Sequence, residues 1–230
     1  MGEWYPLPTG EREKAHRAFL GEGKRKKRDT NNEQRIMYED ILIAGFGGQG
    51  VIFTGKLLAY AGLKEGKEVV YFPSYGAEMR GGTANCTVII SDSPIASPII
   101  SHPQNAIMMS HPSYLKFFPR IKKGGLALIN ISLIKDELSR KDIEIIKVPA
   151  NEIAEELATP RIANMVALGA WVKRSGMVSL ESLIESLKDV ISKDKLDLLS
   201  LNKKALREGA KLVARRSKKE IRTYILNRKY

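Results

Sequence analysis

The stretch "ILIAGFGGQGVIFTGKLLAYAG", residues 41–62, constrains the fold more than any other part of the chain. An apolar run stops in a cluster of glycines and then restarts with helical periodicity. That pattern specifies a buried strand, a tight turn and a helix, the unit from which α/β sheets are built. Gly45, Gly47 and Gly50 carry G-x-G-x-x-G spacing in the context where backbone N–H groups at a helix N-terminus hold a phosphate.

Three uses of the turn are open. The dinucleotide fingerprint also requires an acid near the end of the second strand, placed to hold a ribose hydroxyl. Here that place reads "VVYFPSYG"; Glu68 comes too early and Glu78 lies beyond it in a loop, so the match to an NAD(P) site is incomplete. Glycines also allow a helix to pack tightly on a sheet, and Gly55, Ala59 and Gly62 continue a small-residue face along the helix. The third use is contact with an anion or cofactor through Gly45, Gly47, Gly48, Gln49 and Gly50.

Short apolar runs recur at residues 41–44, 69–72, 86–90, 106–109, 126–129 and 143–148, and read as strands of a largely buried sheet. Between the first two lies a helix of about 14 residues, long enough for a crossover, so they are expected to be parallel neighbours. The link "PSYGAEMRGGT" has a proline, three glycines and no helical period, so the third strand should return without a helix and make the sheet mixed. From residue 151 the pattern is helical, with Thr159 and Pro160 as a start signal and Gly176 as a stop. In "SLESLIESLKDVI", Leu180, Leu183, Ile184, Leu187, Val190 and Ile191 share one helical face. A further helix, "NKKALREGAKLVARR", leads into a basic tail. The expected fold is α/β: a Rossmann-like, mixed, mostly parallel sheet with flanking helices and a helical C-terminal part. Residues 1–39 read as a polar extension, 40–150 as the α/β core and 151–230 as helices packed on the same domain.

At 230 residues with 43% hydrophobic, the chain can bury one good core and is too short for two full enzyme domains. No apolar run approaches the ~18 residues of a membrane span, and "MGEWYPLPTGEREKAHRAFL" lacks the apolar segment of a signal peptide, so a cytoplasmic location is expected. A four-thiolate zinc or iron–sulfur site cannot be built from the single cysteine, Cys86; any cluster is expected on a partner. The net charge of +12 is concentrated late in the chain: residues 201–230 hold 11 Lys/Arg against Glu208 and Glu220. "KRKKR" and "RRSKKEIR" carry no interleaved aromatics and no nucleic-acid-binding motif, which favours solvated charge or an acidic partner subunit over nucleic acid.

A second constellation lies at residues 73–90, where Tyr75, Glu78 and Arg80 are crowded between Gly76 and the pair Gly81 and Gly82. Glycines around a charged pair make a loop able to aim side chains at a site, although Glu78 and Arg80 could equally pair with each other to pin the turn. Elsewhere Cys86 reads as a small buried hydrophobe, and His102 and His111 each precede proline, as turn residues at element ends. His111 is the better placed of the two, because it would follow a strand at the carboxyl edge. Met165, Leu168 and Val172 read as core or interface, with Trp171 as an interface anchor. His16 lies in the extension and suggests no role.

Taken together, "GFGGQGVIFTGKLLAYAG", "PSYGAEMRGGTANCTVIISDSPIASP", "GGLALINISLI" and "RIANMVALGAWVKRSG" resemble the gamma subunit, or equivalent domain, of the 2-oxoacid:ferredoxin oxidoreductases. The resemblance covers roughly residues 40–215, and "YGAEMRGG" following "GGQG" is far more specific than the glycine spacing alone. It implies a subunit of an enzyme that converts a 2-oxoacid and coenzyme A to acyl-CoA and carbon dioxide while reducing ferredoxin. Thiamine diphosphate, Mg and the 4Fe-4S clusters would then sit on alpha and beta partner subunits, with a ferredoxin-like delta subunit as a further candidate partner. The isolated chain would hold no cofactor and have no activity. It implies further that Gly45, Gly47, Gly48, Gln49 and Gly50, with Tyr75, Glu78, Arg80 and Gly81, border the active or coenzyme A site. The 2-oxoglutarate type is the expected one; an NAD(P)-linked oxidoreductase and a basic nucleic-acid-binding protein are the rival readings.

Overall fold

The computed structural model describes residues 37–75, 83–136 and 140–214, without the side chains of Tyr75, Lys193 and Asp194. All six apolar runs form strands: Tyr38–Phe46 (β1), Glu68–Tyr75 (β2), Thr83–Ser91 (β3), Asn105–Met108 (β4), Leu126–Asn130 (β5) and Glu144–Val148 (β6). Helix α1 spans Val51–Lys64, α2 His111–Phe117 and α3 Ala150–Leu157. The C-terminal part adds α4 (Ala163–Ser175), α5 (Leu180–Val190) and α6 (Leu199–Ala214). The helix boundaries follow local chemistry. Ser110 and Ser179 cap α2 and α5 by accepting from the backbone N–H three residues on. Thr159 caps a single 3-10 turn, Pro160–Ile162, that runs into α4, and Gly176 ends α4 in the left-handed region at φ 69°.

The sheet runs β2-β3-β1-β4-β5-β6. From β1 through β6 the pairing is parallel, whereas β3 is antiparallel to both β1 and β2. The sheet is thus mixed and mostly parallel, as expected, but β1 and β2 are not neighbours: β3 lies between them. The reason is in the residues of β2. Pro73 has no N–H to give to a central ladder, and Glu68 and Phe72 are exposed, so β2 suits an edge. In β3, Cys86, Val88, Ile89 and Ile90 are wholly buried and suit the interior.

Strand alternation divides the core in two. On the first face Ile41 and Ile43 of β1, Cys86, Val88 and Ile90 of β3, Ile107 of β4, Leu128 of β5 and Ile146 and Val148 of β6 meet the helices α1, α3, α4, α5 and α6. On the second face Leu42 and Ala44, Ala106 and Met108, and Ala127 and Ile129 meet Tyr114 and Phe117 of α2 with Phe118 and Ile121. Helix α4 is the buried spine of the first layer. Met165, Leu168 and Val172 are in its core, and so is Trp171, which has no exposed surface and is therefore a core residue rather than the interface anchor expected.

Helices α4 and α6 cross backbone to backbone. A Cβ on Gly169 would lie 2.0 Å from the Leu206 carbonyl oxygen, and one on Gly209 would lie 1.9 Å from that of Val166. Only hydrogen fits between the two helices at these points. Among the described residues no helix is long and apolar enough to cross a membrane.

Candidate functional site

The carboxyl edge of the parallel strands is where α/β sheets hold ligands, at the point where successive connections leave on opposite faces. Here that point lies between β1, whose helix α1 covers the first face, and β4, whose helix α2 covers the second. The glycine turn hangs directly over it.

Gln49 organises the turn. Its backbone N–H donates to the Phe46 carbonyl at 3.2 Å, and its side-chain Oε1 accepts from the Phe46 N–H at 2.7 Å. Its Nε2 then reaches across the gap and donates to the Met109 carbonyl at 3.2 Å, just beyond β4. Met109 in turn donates its N–H to Ala44 at 2.8 Å. The side-chain amide therefore ties the ends of β1 and β4 together. Gly45 must be glycine for this: a Cβ there would sit 2.5 Å from Gln49 Oε1 and 2.9 Å from Met109 Cβ. Gly48, by contrast, is exposed with φ 96° and would meet nothing; it is glycine for its conformation.

Gly50 is both. It caps α1 with φ 69°, and a Cβ there would lie 2.4 Å from Asn164 Nδ2. Its carbonyl oxygen accepts three hydrogen bonds, from Thr54 N (2.9 Å), Thr54 Oγ1 (2.9 Å) and Asn164 Nδ2 (3.2 Å). Asn164 also donates to Thr54 Oγ1 at 3.2 Å and accepts from Met165 N at 3.0 Å, so this buried amide is well satisfied. No side chain caps α1 and no acid stands in its first turn, so its leading N–H groups and positive dipole end are not met by a side chain of the turn. Such an end suits a phosphate or carboxylate.

Below the turn the helix lies tight on the sheet. A Cβ on Gly55 would be 2.3 Å from Cys86 Sγ, and one on Gly62 would be 2.9 Å from both Ile90 and Val69 side chains. The small-residue face thus packs as anticipated. Burial pushes the Cys86 thiol up to about 12, and its Sγ lies 3.4 Å from the Val51 carbonyl, so it serves as packing rather than as a nucleophile.

The second constellation is reached only in part. Tyr75 ends β2, and the strand register aligns Tyr75, Ala84 and Gly45 in one row across β2, β3 and β1, with Thr83 beside Phe46. The two motifs therefore share one edge of the sheet. Glu78, Arg80 and Gly81 lie outside the described residues. At the same edge His111 Nε2 sits 3.0 Å from an Asp136 carboxylate oxygen, its ring stacked near Tyr114. His102 is an exposed turn residue ahead of β4. Asn130, wholly buried at the end of β5, accepts from Ala150 N and donates to Asn151 Oδ1, tying β5 to α3.

Two interactions that hold the turn escaped the sequence reading. Asn164 is one polar letter in an apolar helix, and its partners lie more than a hundred positions away; that isolated polar residue was the available signal. The bridging role of Gln49 had no signal beyond its place in the motif. A dinucleotide site is disfavoured by topology as well as by composition. The strand beside β1 is the antiparallel β3, whose end at this edge reads Thr83, Ala84, Asn85, with no acid for a ribose. A cluster does not fit either: the chain has one cysteine, and no group of three or more His, Cys, Asp or Glu residues could hold a metal among those described.

Comparison with known proteins points one way. The sequence model of the family described as pyruvate ferredoxin/flavodoxin oxidoreductase matches residues 40–212. The 2-oxoglutarate synthase subunit KorC of Methanocaldococcus jannaschii is 37% identical over 178 residues, covering 75% of this chain and 95% of that protein. The gamma subunit of a keto/oxoacid ferredoxin oxidoreductase from Geobacter sulfurreducens superposes with a TM-score of 0.67 at 28% identity, over 76% of this chain and 95% of its own. The 2-oxoglutarate:ferredoxin oxidoreductase of Magnetococcus marinus, solved with 2-oxoglutarate, coenzyme A and succinyl-CoA, gives a TM-score of 0.71 at 27% identity, over 79% of this chain but 32% of that one.

Proposed function

The chain belongs to the pyruvate ferredoxin/flavodoxin oxidoreductase family, and we propose that it is the gamma subunit of a 2-oxoglutarate:ferredoxin oxidoreductase, lending its glycine edge to the coenzyme A site. The observation that carries the reading is the match to KorC, which spans nearly the whole of that subunit. The reaction class is the oxidative decarboxylation of a 2-oxoacid, with coenzyme A as acyl acceptor and ferredoxin as electron acceptor. Thiamine diphosphate, Mg and 4Fe-4S clusters, held by partner subunits, would supply the decarboxylation and the electron path.

This chain's own residues bind and orient. Coenzyme A is polyanionic, and the uncapped N-terminus of α1, with the exposed backbone at Gly47 and Gly48, is suited to one of its phosphates. Gln49 holds that backbone in place by bridging β1 and β4, and Asn164 and Thr54 fix the Gly50 peptide behind it. Arg80, in the "YGAEMRGG" motif, would add a charge-assisted contact.

The test is to purify the chain with its co-encoded partners and assay dye reduction with coenzyme A and three substrates: 2-oxoglutarate, pyruvate and 2-oxoisovalerate. Strong preference for 2-oxoglutarate is expected, and preference for another oxoacid would refute the assignment of type while leaving the class. Arg80→Ala should raise the KM for coenzyme A about tenfold, the ~1.4 kcal/mol of one charge-assisted bond. An unchanged KM would remove this edge from the coenzyme A site.

A further inference from the structure

The two faces of the sheet are unequally covered. Five helices pack on the first, while among the described residues the second is covered by the seven-residue α2, its flanking turns and the segment after β5 that carries Ile131 and Ile134, over β1, β4, β5 and the start of β6. The second core cluster stops at β1; β2 and β3 contribute no residue to it. Strand register assigns Val70 and Phe72 of β2, Thr87 and Ile89 of β3, and Tyr38 and Phe46 of β1 to this face. Thr87 and Ile89 are buried in its floor, but Phe72 is 42% exposed, Phe46 36% and Tyr38 47%. Leu115 on α2, which packs over the same face, is 57% exposed. Behind the same strands Val69 and Tyr71 pack against the helical layer. An antiparallel edge can leave one face to water, but a solvated face carries polar residues there, and exposed aromatics in their place along this edge mark a contact surface.

The comparisons identify what belongs there. This chain matches 95% of KorC but only 32% of the single Magnetococcus chain, so in that relative the same domain is covalently continuous with a much larger remainder. KorC, a separate subunit, must hold the equivalent of that remainder by contact alone, and on the gamma-subunit reading so must this chain. Permanent assemblies do this with large apolar interfaces. The helical side has buried most of its apolar residues within the chain, leaving isolated leucines such as Leu63 and Leu196 exposed, whereas the aromatic half-face leaves Tyr38, Phe46 and Phe72 uncovered.

We infer that the β2–β3 half of the second face, bearing Tyr38, Phe46 and Phe72, is the docking surface for the subunit that corresponds to the unmatched part of the Magnetococcus chain. The inference rests on the gamma-subunit reading above and adds where the assembly is held.

The experiment places a photo-crosslinking benzoylphenylalanine at position 72 of the full chain, co-produced with its separately encoded partners, and identifies the linked peptide after irradiation of the purified complex. A peptide from the subunit aligned with the unmatched Magnetococcus segment is the expected result. In parallel, the double variant Phe46→Ser, Phe72→Ser should recover that subunit at least tenfold less well, while Leu196→Ser, Leu198→Ser, ahead of α6, recovers it normally. A link to residues 1–36 of the same chain, to a second copy, to a different subunit or to nothing overturns the proposal, as does undiminished recovery by the double variant. Should the unaltered chain bring down no such subunit at all, the gamma-subunit reading itself fails, and the docking surface with it.

Discussion

Two places in this molecule depend on glycine, and they depend on it differently. At the α4–α6 crossing, Gly169 and Gly209 have ordinary helical backbone, and what excludes a side chain is the carbonyl of the opposing helix. At the β1–α1 turn, Gly50 is needed for its backbone angle as well as for its space, and the atom it would strike belongs to a side chain, Asn164. The first kind of glycine holds the fold together, and the second shapes the turn proposed to meet coenzyme A. Helix α4 joins them, with Asn164 in its first turn and Gly169 in its middle.

The contrast can be broken most severely at the crossing. Gly209→Val pushes a branched side chain into a carbonyl that cannot rotate away, and a loss of more than about 4 kcal/mol is expected, in the range reserved for gross overpacking. Thermal unfolding of the variant should show no native transition at the wild-type midpoint. A near-normal melting curve would mean that the helices do not cross this closely.

A second, smaller effect sharpens the distinction at the turn. Gly50→Ala should cost roughly 2–3 kcal/mol, of which the left-handed backbone accounts for ~1–2 and the clash with Asn164 for the rest. Adding Asn164→Ala makes room but leaves the backbone cost, so the double variant should lose less than the two single losses added together. Strict additivity in denaturant melts would show that the clash does not exist. No comparable rescue is available at Gly209, where the obstacle is main chain.

Gln49→Ala comes next. It removes both hydrogen bonds of the bridge, and with the site partly open to water a stability loss of only ~1 kcal/mol is expected. The KM for coenzyme A should rise several-fold in the assembled enzyme, because the backbone that would face the phosphate is no longer held. A stability loss with an unchanged KM would make the bridge purely structural.

The smallest effect lies at the opposite end of β1. Burial raises the Asp40 carboxyl above the usual carboxylate range, although the Gln104 N–H and Lys122 act to lower it. A raised carboxyl favours its neutral form in the fold, so its contribution is fully present below the ordinary Asp value near ~4 and declines as pH rises through the folded one. Asp40→Asn should therefore melt at the same temperature as wild type, or slightly above it, at pH 7, with any advantage gone below about pH 4. A variant clearly less stable at pH 7 would show that the charged form is the favoured one.

Much of this was legible in the sequence, and the failures have a common form. The six strands, the length of α1, the Gly176 stop and the small-residue face of α1 are properties of neighbouring letters, and each was read from its own segment. Strand order was not: the insertion of β3 between β1 and β2 depends on which of two apolar segments tolerates an edge, and Pro73 was the one residue that hinted at it. Trp171 was misplaced because a helix that is apolar on every side gives no indication whether it faces a partner or a core. Asn164 and the bridge of Gln49 depend on pairs 114 and 60 positions apart, which periodicity cannot see. The glycine motif could be named, but not the side chains that hold it.

The three donors converging on the Gly50 carbonyl affect the other end of the same amide. Resonance within a peptide unit means that drawing electron density onto its oxygen withdraws density from its nitrogen, and hydrogen bonds in a chain strengthen one another in this way, by roughly 10–30% each. The nitrogen here is that of Val51, the first residue of α1. Asn164 and Thr54, which need touch no ligand, thus act as remote electron-withdrawing substituents on the N–H that begins the helix, making it a more acidic donor than the same group in an unassisted turn.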